Sequence, residues 1–456
     1  MIEAARWGEL LVEHLPAHLG QQRWAGAHER PIASVAVVWL EVLRVEQPLL
    51  AWALVEAHFE EGDEQQYQVF IGARDGDPGP EFLEGKDRRV LAEVSIDGHD
   101  LVLYDALVDP DLAIDVLHLV SPGTAVVVRR PIVLEHSNSS VVFDESTILK
   151  VFRRVEPGPN PDVEITRVLA EQGCASVLPP LAELRRDGTD LAVARAYLVE
   201  ATDGWDLART SVRDLLASRL PPGDSGGDLA PDSARLGATI ASLHVAMASA
   251  WGSTTGEPAA WAALMEEHLD SVADDGMSSR DPSLLDPDAI RARYRTAASV
   301  GDGGREILVH GDLHLAQVMR VDAGWIVLDF EGEPSRRRAD RFTRSSPLRD
   351  AAGILRSYHY AAASGLAEWD LGDDELLDLL VGWEERNRAA FLDGYFSHDG
   401  IDALLPADPA ARATLLAAFE LDKAVYELGY ELAHRPDKVS IPLAGIDRLV
   451  RGPVPT

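Results

Sequence analysis

The sequence predicts an α+β protein whose strands and helices are segregated along the chain. Residues 1–201 contain short runs of alternating or β-branched apolar residues, whereas apolar residues recur at helical spacing from residue 202 onward. A chain of 456 residues is long for a single hydrophobic core, so we expect subdomains. Loop-like tracts and the change of period place them at residues 1–88, 89–201 and 202–456.

The first segment, residues 1–88, begins with an amphipathic helix predicted over Ala4–His18. Strand-like runs follow at 34–45 and 65–73. The tract GARDGDPGPEFLEGKD, residues 72–87, is rich in glycine, proline and charge. We interpret it as a loop at a subdomain boundary.

The second segment mixes strands with helices. Its sequence predicts helices at 109–120 and 157–173, the latter with a proline-rich start, and strands at 101–107, 124–135, 139–144, 146–154, 181–187 and 191–201. This composition predicts a small mixed α/β subdomain.

The third segment is mostly helical. Apolar residues recur every three or four positions over 232–251, 372–396 and 410–435. The tract LPPGDSGGDLAPD, residues 220–232, predicts a loop between two helices. The exception to the helical pattern is a set of short strands around residues 306–330, described below.

The net charge of −34 argues against nucleic acid or an anionic membrane surface as a partner, because both would be repelled. We see no apolar run that approaches the ~20 residues of a membrane span, and no signal peptide. The one cysteine, Cys174, has no partner for an internal disulfide. We therefore expect a cytoplasmic protein.

The segment LVHGDLHLAQVMRVDAGWIVLDFEGEP, residues 308–334, contains a predicted hairpin with polar residues at its ends. Asp312 lies on the loop before the hairpin, Gln317 at its entry and Asp329 at its far end. Because a hairpin returns the chain on itself, these groups can converge. Phosphoryl transfer needs such a set, with one carboxylate to accept the proton of the acceptor hydroxyl and oxygen ligands for Mg²⁺.

The order His310-Gly311-Asp312, Gln317 and Asp329-Phe330-Glu331 resembles the catalytic loop and metal-binding strand of the protein-kinase-like fold, in its aminoglycoside-phosphotransferase and choline-kinase branch. The resemblance implies a bilobal kinase fold, ATP and Mg²⁺ as cofactors, Asp312 as catalytic base and Gln317 and Asp329 as metal ligands, with His310 supporting the loop. Glutamine replaces the asparagine of the kinase pattern. The alternative is that all of these residues are polar turn residues around a hairpin, with no catalytic role.

A kinase site also needs a lysine that grips phosphate and a glutamate that orients it. Lys150 at the end of a strand and Glu164 at the start of the next helix have the required order. The turn EHSNSS lies where phosphates would be covered, so Ser137, Asn138, Ser139 and Ser140 are candidate phosphate contacts. The strand AYLVE, ending at Glu200, is the expected adenine-binding hinge.

Longer stretches narrow the resemblance. HGDLHLAQV, DFEGEP, SPLRDAAGILRSYHYAA, FRRVEPGPNPDVE and FELDKAVYELGYE together resemble the maltokinase family and its close relatives, which include glucosamine kinases. The resemblance covers residues 120–450 and implies an N-terminal cap subdomain, a small ATP-binding lobe and a large helical C-lobe. It assigns Asp350 as the anchor of the catalytic loop; a helix N-cap is the alternative. The stretch QRWAGAH, residues 22–28, and Ala316 depart from the usual maltokinase pattern.

The acceptor is expected beside Asp312, over the helix that carries FELDKAVYELGYE. Candidate sugar contacts are Asp312, His314, Glu420, Asp422, Tyr426 and Glu427. The alternative for the helix is that Lys423 pairs with Glu420 and Glu427 on a solvated face.

The sequence predicts an ATP- and Mg²⁺-dependent sugar kinase, with D-glucosamine phosphorylated at its 6-hydroxyl. Maltose converted to maltose 1-phosphate, an aminoglycoside acceptor, and a non-catalytic sugar sensor are the alternatives. The expected partners are a small sugar or amino sugar and ATP, in a monomer or weak homodimer.

Overall fold

The computed structural model describes residues 2–25, 30–76, 81–96, 98–127, 132–135, 138–276, 285–332, 344–368 and 374–452. The chain divides into two compact units. The first comprises residues 1–164 and 179–199, and the second comprises residues 165–178 and 200–456.

The first unit contains a large antiparallel sheet. Its strands are β1 (Ile32–Arg44), β2 (Leu49–Phe59), β3 (Glu64–Asp75), β4 (Val90–Ile96) and β5 (His99–Asp105). They are ordered β1-β2-β3-β5-β4. Helix α1 (Ala4–Leu19) precedes them, and helix α2 (Pro110–Val120) follows them. The carboxylate of Asp109 caps α2 by accepting a hydrogen bond from the backbone N–H of Asp111, at 2.9 Å.

Both faces of this sheet are buried, which explains why β2 is apolar almost throughout. Ala51, Ala53 and Val55 belong to the core formed with α1, whereas Leu50 and Trp52 belong to the core formed with α2. Alternate side chains of a strand point to opposite faces, so a continuous apolar strand separates two cores.

A second antiparallel sheet, ordered β10-β11-β8-β7-β6, shares the α2 core. Its strands are β6 (Ile132–Glu135), β7 (Ser139–Phe143), β8 (Thr147–Val151), β10 (Ala182–Arg186) and β11 (Thr189–Ala196). The short β9 (Arg154–Val155) pairs instead with β3 of the first sheet. Helix α3 (Pro161–Glu171) lies between β9 and β10 in the sequence.

The boundary predicted at residue 88 falls inside the first sheet. Strands β4 and β5 follow that residue, yet β5 pairs with β3 over Ile71–Asp75. Residues 89–105 therefore complete the same sheet as residues 32–75, and residue 88 does not separate two compact units. The boundary predicted at residue 201 lies next to Glu200, where the second unit resumes.

The second unit is mostly helical. Its helices are α4 (Gly204–Ser218), α5 (Ala230–Trp251), α6 (Pro258–Gly276), α7 (Pro287–Ala298), α8 (Leu348–Glu368), α9 (Asp374–Phe396), α10 (Pro409–His434) and α11 (Ser440–Arg451). Their apolar faces form one extended core, to which Leu243, Leu355 and Val425 contribute. Among the described residues, none of the helices has the length and apolar character needed to cross a membrane.

Short strands position the central loop of this unit. Strands β15 (Val318–Val321) and β16 (Gly324–Val327) form the predicted hairpin, and Val321 pairs with Gly324 across the turn. Strand β12 (Thr202–Asp203) pairs with β15. Strand β14 (Arg305–Leu308), which leads into the loop, pairs with β13 (Thr254–Thr255) and β17 (Arg344–Ser345). The loop around Asp312 thus starts and ends on hydrogen-bonded strands.

Candidate active site

A buried aspartate of the second unit anchors the loop that carries Asp312. The carboxylate of Asp350, 1% exposed, accepts hydrogen bonds from the backbone N–H groups of His310 at 2.7 Å and Gly311 at 2.9 Å. His244 Nε2 lies 3.1 Å from the same carboxylate and is in turn 2.8 Å from the hydroxyl of Tyr395 through its Nδ1. These interactions hold the pKa of Asp350 below its ordinary value, against the effect of its burial. The ionised form of Asp350 is therefore favoured, and this carboxylate fixes the loop backbone.

His310 connects this loop to the segment that follows the hairpin. Its Nε2 lies 2.8 Å from the carbonyl oxygen of Leu328, and its ring packs 4.8 Å from that of Phe330. A carbonyl only accepts, so Nε2 carries the proton and Nδ1 is free to accept from Asp312 N–H at 3.4 Å. One imidazole thus links both polar ends of the hairpin.

Gln317 and Asp329 meet at the end of the hairpin. Their side chains are 3.3 Å apart, from Gln317 Nε2 to Asp329 Oδ2. Asp329 has a φ of +62°, a left-handed conformation that is uncommon outside glycine and recurs at functional sites. A carboxylate and an amide oxygen are ligands that Mg²⁺ accepts, and a half-turn of the amide presents its oxygen. The residues present therefore fit a divalent cation.

The sequence interpretation missed the partner of Asp312. Lys423 Nζ, on α10, lies 3.0 Å from Asp312 Oδ1, and both side chains are 17% exposed. The ammonium also lies 4.5 Å above the ring of Tyr426. The alternative that Lys423 occupies a solvated face with Glu420 and Glu427 is wrong, since the chain's tertiary contacts turn it toward the loop.

A small cleft opens beside this ion pair. It is lined by Gly311, Leu313, Arg349, Asp350, Gly353, Phe419, Asp422, Lys423, Tyr426 and His268. Asp422 Oδ1 lies 3.0 Å from His268 Nδ1, which α6 contributes. Asp422 and Tyr426 are thus placed near Asp312, as a sugar site would need. Sequence reasoning did not select His268, because it is distant in the chain and carries no motif.

Glu420 and Glu427 lie on a different face of α10. The carboxylate of Glu420, 2% exposed, accepts two hydrogen bonds from Arg388 at 2.7 and 2.8 Å. Glu427 accepts two from the buried Arg356 at 3.0 and 2.7 Å. Arg388, Glu420 and Arg448 line a separate cavity. The prediction that Glu420 and Glu427 contact the sugar is corrected, because each carboxylate is already paired with an arginine, the partly buried Arg388 and the buried Arg356.

His314 lies beside the other oxygen of Asp312. Its Nε2 is 3.9 Å from Asp312 Oδ2, which is longer than a hydrogen bond. Loss of hydration around its partly buried ring lowers the pKa of His314 to about 4. The ring is therefore neutral near pH 7 and able to donate or accept a hydrogen bond.

In the first unit, Lys150 pairs with a carboxylate other than the predicted one. Its Nζ lies 3.3 Å from Asp162 Oδ2, and Arg195 Nη1 lies 2.8 Å from the same oxygen. Asp162 is 1% exposed, whereas Glu164 is partly exposed. The expected Lys150–Glu164 pair is therefore replaced by two cations around the buried Asp162.

The predicted phosphate turn is also changed in detail. Ser139 is fully buried, and its hydroxyl accepts a hydrogen bond from Arg153 Nε at 2.8 Å, so it belongs to the interior. Ser140 is directly paired with Lys150 across β7 and β8, which puts these two side chains on one face of the sheet. Asn138, on the same side as Ser140 by alternation, is 9% exposed. Ser137 lies outside the described residues.

The strand predicted at 196–200 is wrong, whereas the role of this segment as an adenine-binding hinge stays a prediction. Strand β11 ends at Ala196, and Glu200 is an exposed residue with a φ of +62°. The apolar letters of AYLVE favour a strand locally, but the pairing partner β8 begins at Thr147, which faces Ala196. The ladder ends there because β8 supplies no further residues.

This fold and this arrangement of polar groups define a class of enzyme. Residues 129–413 match the phosphotransferase enzyme family. Because that match covers more than half of the chain, the protein belongs to this family. Residues 18–109 match the maltokinase N-terminal cap domain. The predicted kinase-like fold and the resemblance to maltokinase relatives are therefore confirmed.

The similar proteins of known function point to one branch of the family. Glucosamine kinase of Streptacidiphilus jiangxiensis is 29% identical over 344 residues, which cover 73% of this chain and 76% of that protein. Glucosamine kinase of Mycolicibacterium smegmatis is 26% identical, over 71% of this chain and 79% of that protein. A solved glucosamine kinase in complex with glucosamine, ADP and inorganic phosphate covers 97% of this chain and 99% of its own, with a TM-score of 0.65. At 23% identity, that likeness establishes the fold.

Proposed function

We propose that this protein is an ATP-dependent sugar kinase that transfers the γ-phosphoryl group of ATP to D-glucosamine, at its 6-hydroxyl. The observation that carries the proposal is the ion pair of Asp312, the candidate base, with Lys423, a residue that lines the same small cleft as the carboxylate of Asp422. Membership of the phosphotransferase family and the two glucosamine kinase relatives support it.

Asp312 accepts the proton of the sugar hydroxyl as that oxygen attacks phosphorus. In a loose transition state little base strength is needed, and the main role of the carboxylate is to orient the hydroxyl. The loop geometry suits this role, because Asp350 and His310 accept hydrogen bonds from the backbone N–H groups of residues 310–312. His314, held neutral by its low pKa, is available as a hydrogen-bond partner for the sugar.

Gln317 and Asp329 would hold Mg²⁺, which neutralises charge on the transferring phosphate when it is bound. Lys150 and Arg195 would contact the ATP phosphates. Both are cations held by the buried Asp162, and cationic side chains are the usual partners of phosphate oxygens. Asn138 and Ser140, of the four residues predicted in the preceding turn, would also contact the ATP phosphates.

Asp422 gives the site its preference for a positively charged acceptor. An amino sugar brings an ammonium group, and a carboxylate in a partly dehydrated cleft favours it over a neutral hydroxyl. Glu420 and Glu427, which the sequence placed in the same role, are excluded by their arginine partners.

Maltose phosphorylation is the second candidate, and the match of residues 18–109 to the maltokinase cap domain favours it. Cytoplasmic location and a monomeric or weakly dimeric state stay predictions of the sequence.

The test is ADP release from Mg²⁺-ATP with glucosamine, glucose, N-acetylglucosamine, maltose and kanamycin as acceptors. Selective turnover of glucosamine over glucose supports the amino-sugar proposal, and Asp422→Asn should then raise KM for glucosamine far more than for ATP. Turnover of maltose alone replaces glucosamine by the second candidate. ATP binding without turnover of any acceptor contradicts both.

A further inference from the structure

The ion pair between Lys423 and Asp312 has a consequence for the reaction. The chain contains lysine at positions 86, 150, 423 and 438 only, so arginine is the usual cation of this protein. One of these rare lysines nevertheless contacts the candidate base, at 3.0 Å. An ammonium differs from a guanidinium in being a compact point charge that does not clamp both oxygens of a carboxylate.

We propose that Lys423 is a positioning residue for phosphoryl transfer: it fixes the carboxylate of Asp312 through Oδ1 and leaves Oδ2 for the acceptor hydroxyl. This inference rests on the proposed function. The terminal torsion of an aspartate is broad, so an unpaired Asp312 would sample many carboxylate orientations. Lys423 removes that freedom before the sugar arrives, which lowers the cost of orienting the reacting atoms.

Lys423 is itself held in place by its surroundings. Its ammonium packs over the ring of Tyr426 at 4.5 Å, and its side chain is mostly buried. Helix α10 is fixed below it through the pairs of Glu420 with Arg388 and Glu427 with Arg356. The contact with Lys423 therefore restricts the terminal side-chain torsion of Asp312, because Lys423 belongs to a helix that is itself held by two ion pairs.

The ammonium of Lys423 also determines where a positively charged group of the acceptor can bind in the cleft. A second ammonium next to Asp312 would face a like charge, which disfavours it. Asp422 contributes a carboxylate to the cleft, and its Oδ1 lies 3.0 Å from His268 Nδ1. An amino sugar is therefore expected to place its amine toward Asp422 and its reacting hydroxyl toward Asp312 Oδ2.

The test compares Lys423→Met, which keeps length and helix preference, with Lys423→Arg, which restores a charge. Lys86→Met, at an exposed position of the first unit, is the matched control. We expect Lys423→Met to lower kcat about 10²-fold for both glucosamine and glucose, with KM for ATP unchanged, as for loss of orientation of a reacting group. Lys423→Arg should recover part of this loss, and Lys86→Met should match the parent protein.

A kcat for Lys423→Met within about twofold of the parent, or a rise in acceptor KM alone, overturns the inference. A second measurement is independent of the acceptor: thermal unfolding of Asp312→Asn, Lys423→Met and the double variant. Coupled residues give effects that do not add, whereas simple additivity shows that the pair does not hold Asp312 and overturns the inference. If the parent turns over no sugar, the proposed function fails while this cycle still decides the role of Lys423.

Discussion

Replacing Glu420 with alanine tests whether its carboxylate is a structural group, as the contacts indicate. Both of its oxygens are paired with Arg388, at 2.7 and 2.8 Å, and the side chain is 2% exposed. Removing one partner of a buried ion pair costs about 3–5 kcal/mol, because the remaining charge is left uncompensated. Glu384 lies 3.7 Å from Arg388 and retains part of the compensation, which places the expected cost near the lower end. We expect about 3 kcal/mol and a fall in Tm of about 6–12 °C for a unit of this size.

The assay combines thermal unfolding with steady-state kinetics on the same preparations. Glu385→Ala, one helix turn from Arg388 and exposed, is the control for loss of a surface glutamate from this unit, and its Tm should change little. Below its unfolding temperature, Glu420→Ala should keep the acceptor KM of the parent. An acceptor KM raised more than about tenfold with an unchanged Tm would show that Glu420 binds the sugar, and would refute the structural assignment.

Three further predictions follow from the loop. Asp312→Asn should retain the fold and ATP binding but lose turnover by about 10²–10⁴-fold; a near-normal kcat would remove Asp312 from the role of base. Asp350→Asn puts an amide against three donors, so it should lower the free energy of unfolding by about 1–3 kcal/mol and reduce kcat as well, as measured by urea unfolding and ADP release. The pKa of His314 is lowered from 6.5 to about 4, so its neutral form is favoured in the folded state. Its contribution to stability is full above pH 6.5 and is lost as the pH falls toward 4; His314→Gln should therefore show a shallower loss of Tm over that range, and identical pH profiles would contradict this.

The sequence predicted the geometry of the hairpin better than that of its surroundings. Gln317 and Asp329 lie within one short segment, so a hairpin brings them together by local geometry alone. Their order along the chain is what makes them recognisable. The long apolar periods of α5, α9 and α10 were predictable for the same reason, because helix periodicity is a local property.

Partner choice was harder to predict from the sequence. Asp162 and Glu164 are both acidic and two residues apart, and only the packing of α3 decides that Asp162 meets Lys150 and Arg195. The same holds on α10, where Glu420 and Lys423 are three residues apart and could share a face. In the folded unit, Glu420 pairs with Arg388, and Lys423 pairs with Asp312 of the loop.

By itself, the sequence determined the class of the protein, the candidate base and metal ligands, and the segregation of strands from helices. These depend on residues close together in the chain and on short periods of apolar residues. The tertiary structure decided which carboxylates remain for a ligand, that Lys423 contacts Asp312, and that the first sheet continues past residue 88. Those outcomes depend on contacts between residues tens to hundreds of positions apart. Packing decides which oppositely charged side chains lie close together, and a buried charge is stable only when it has such a partner.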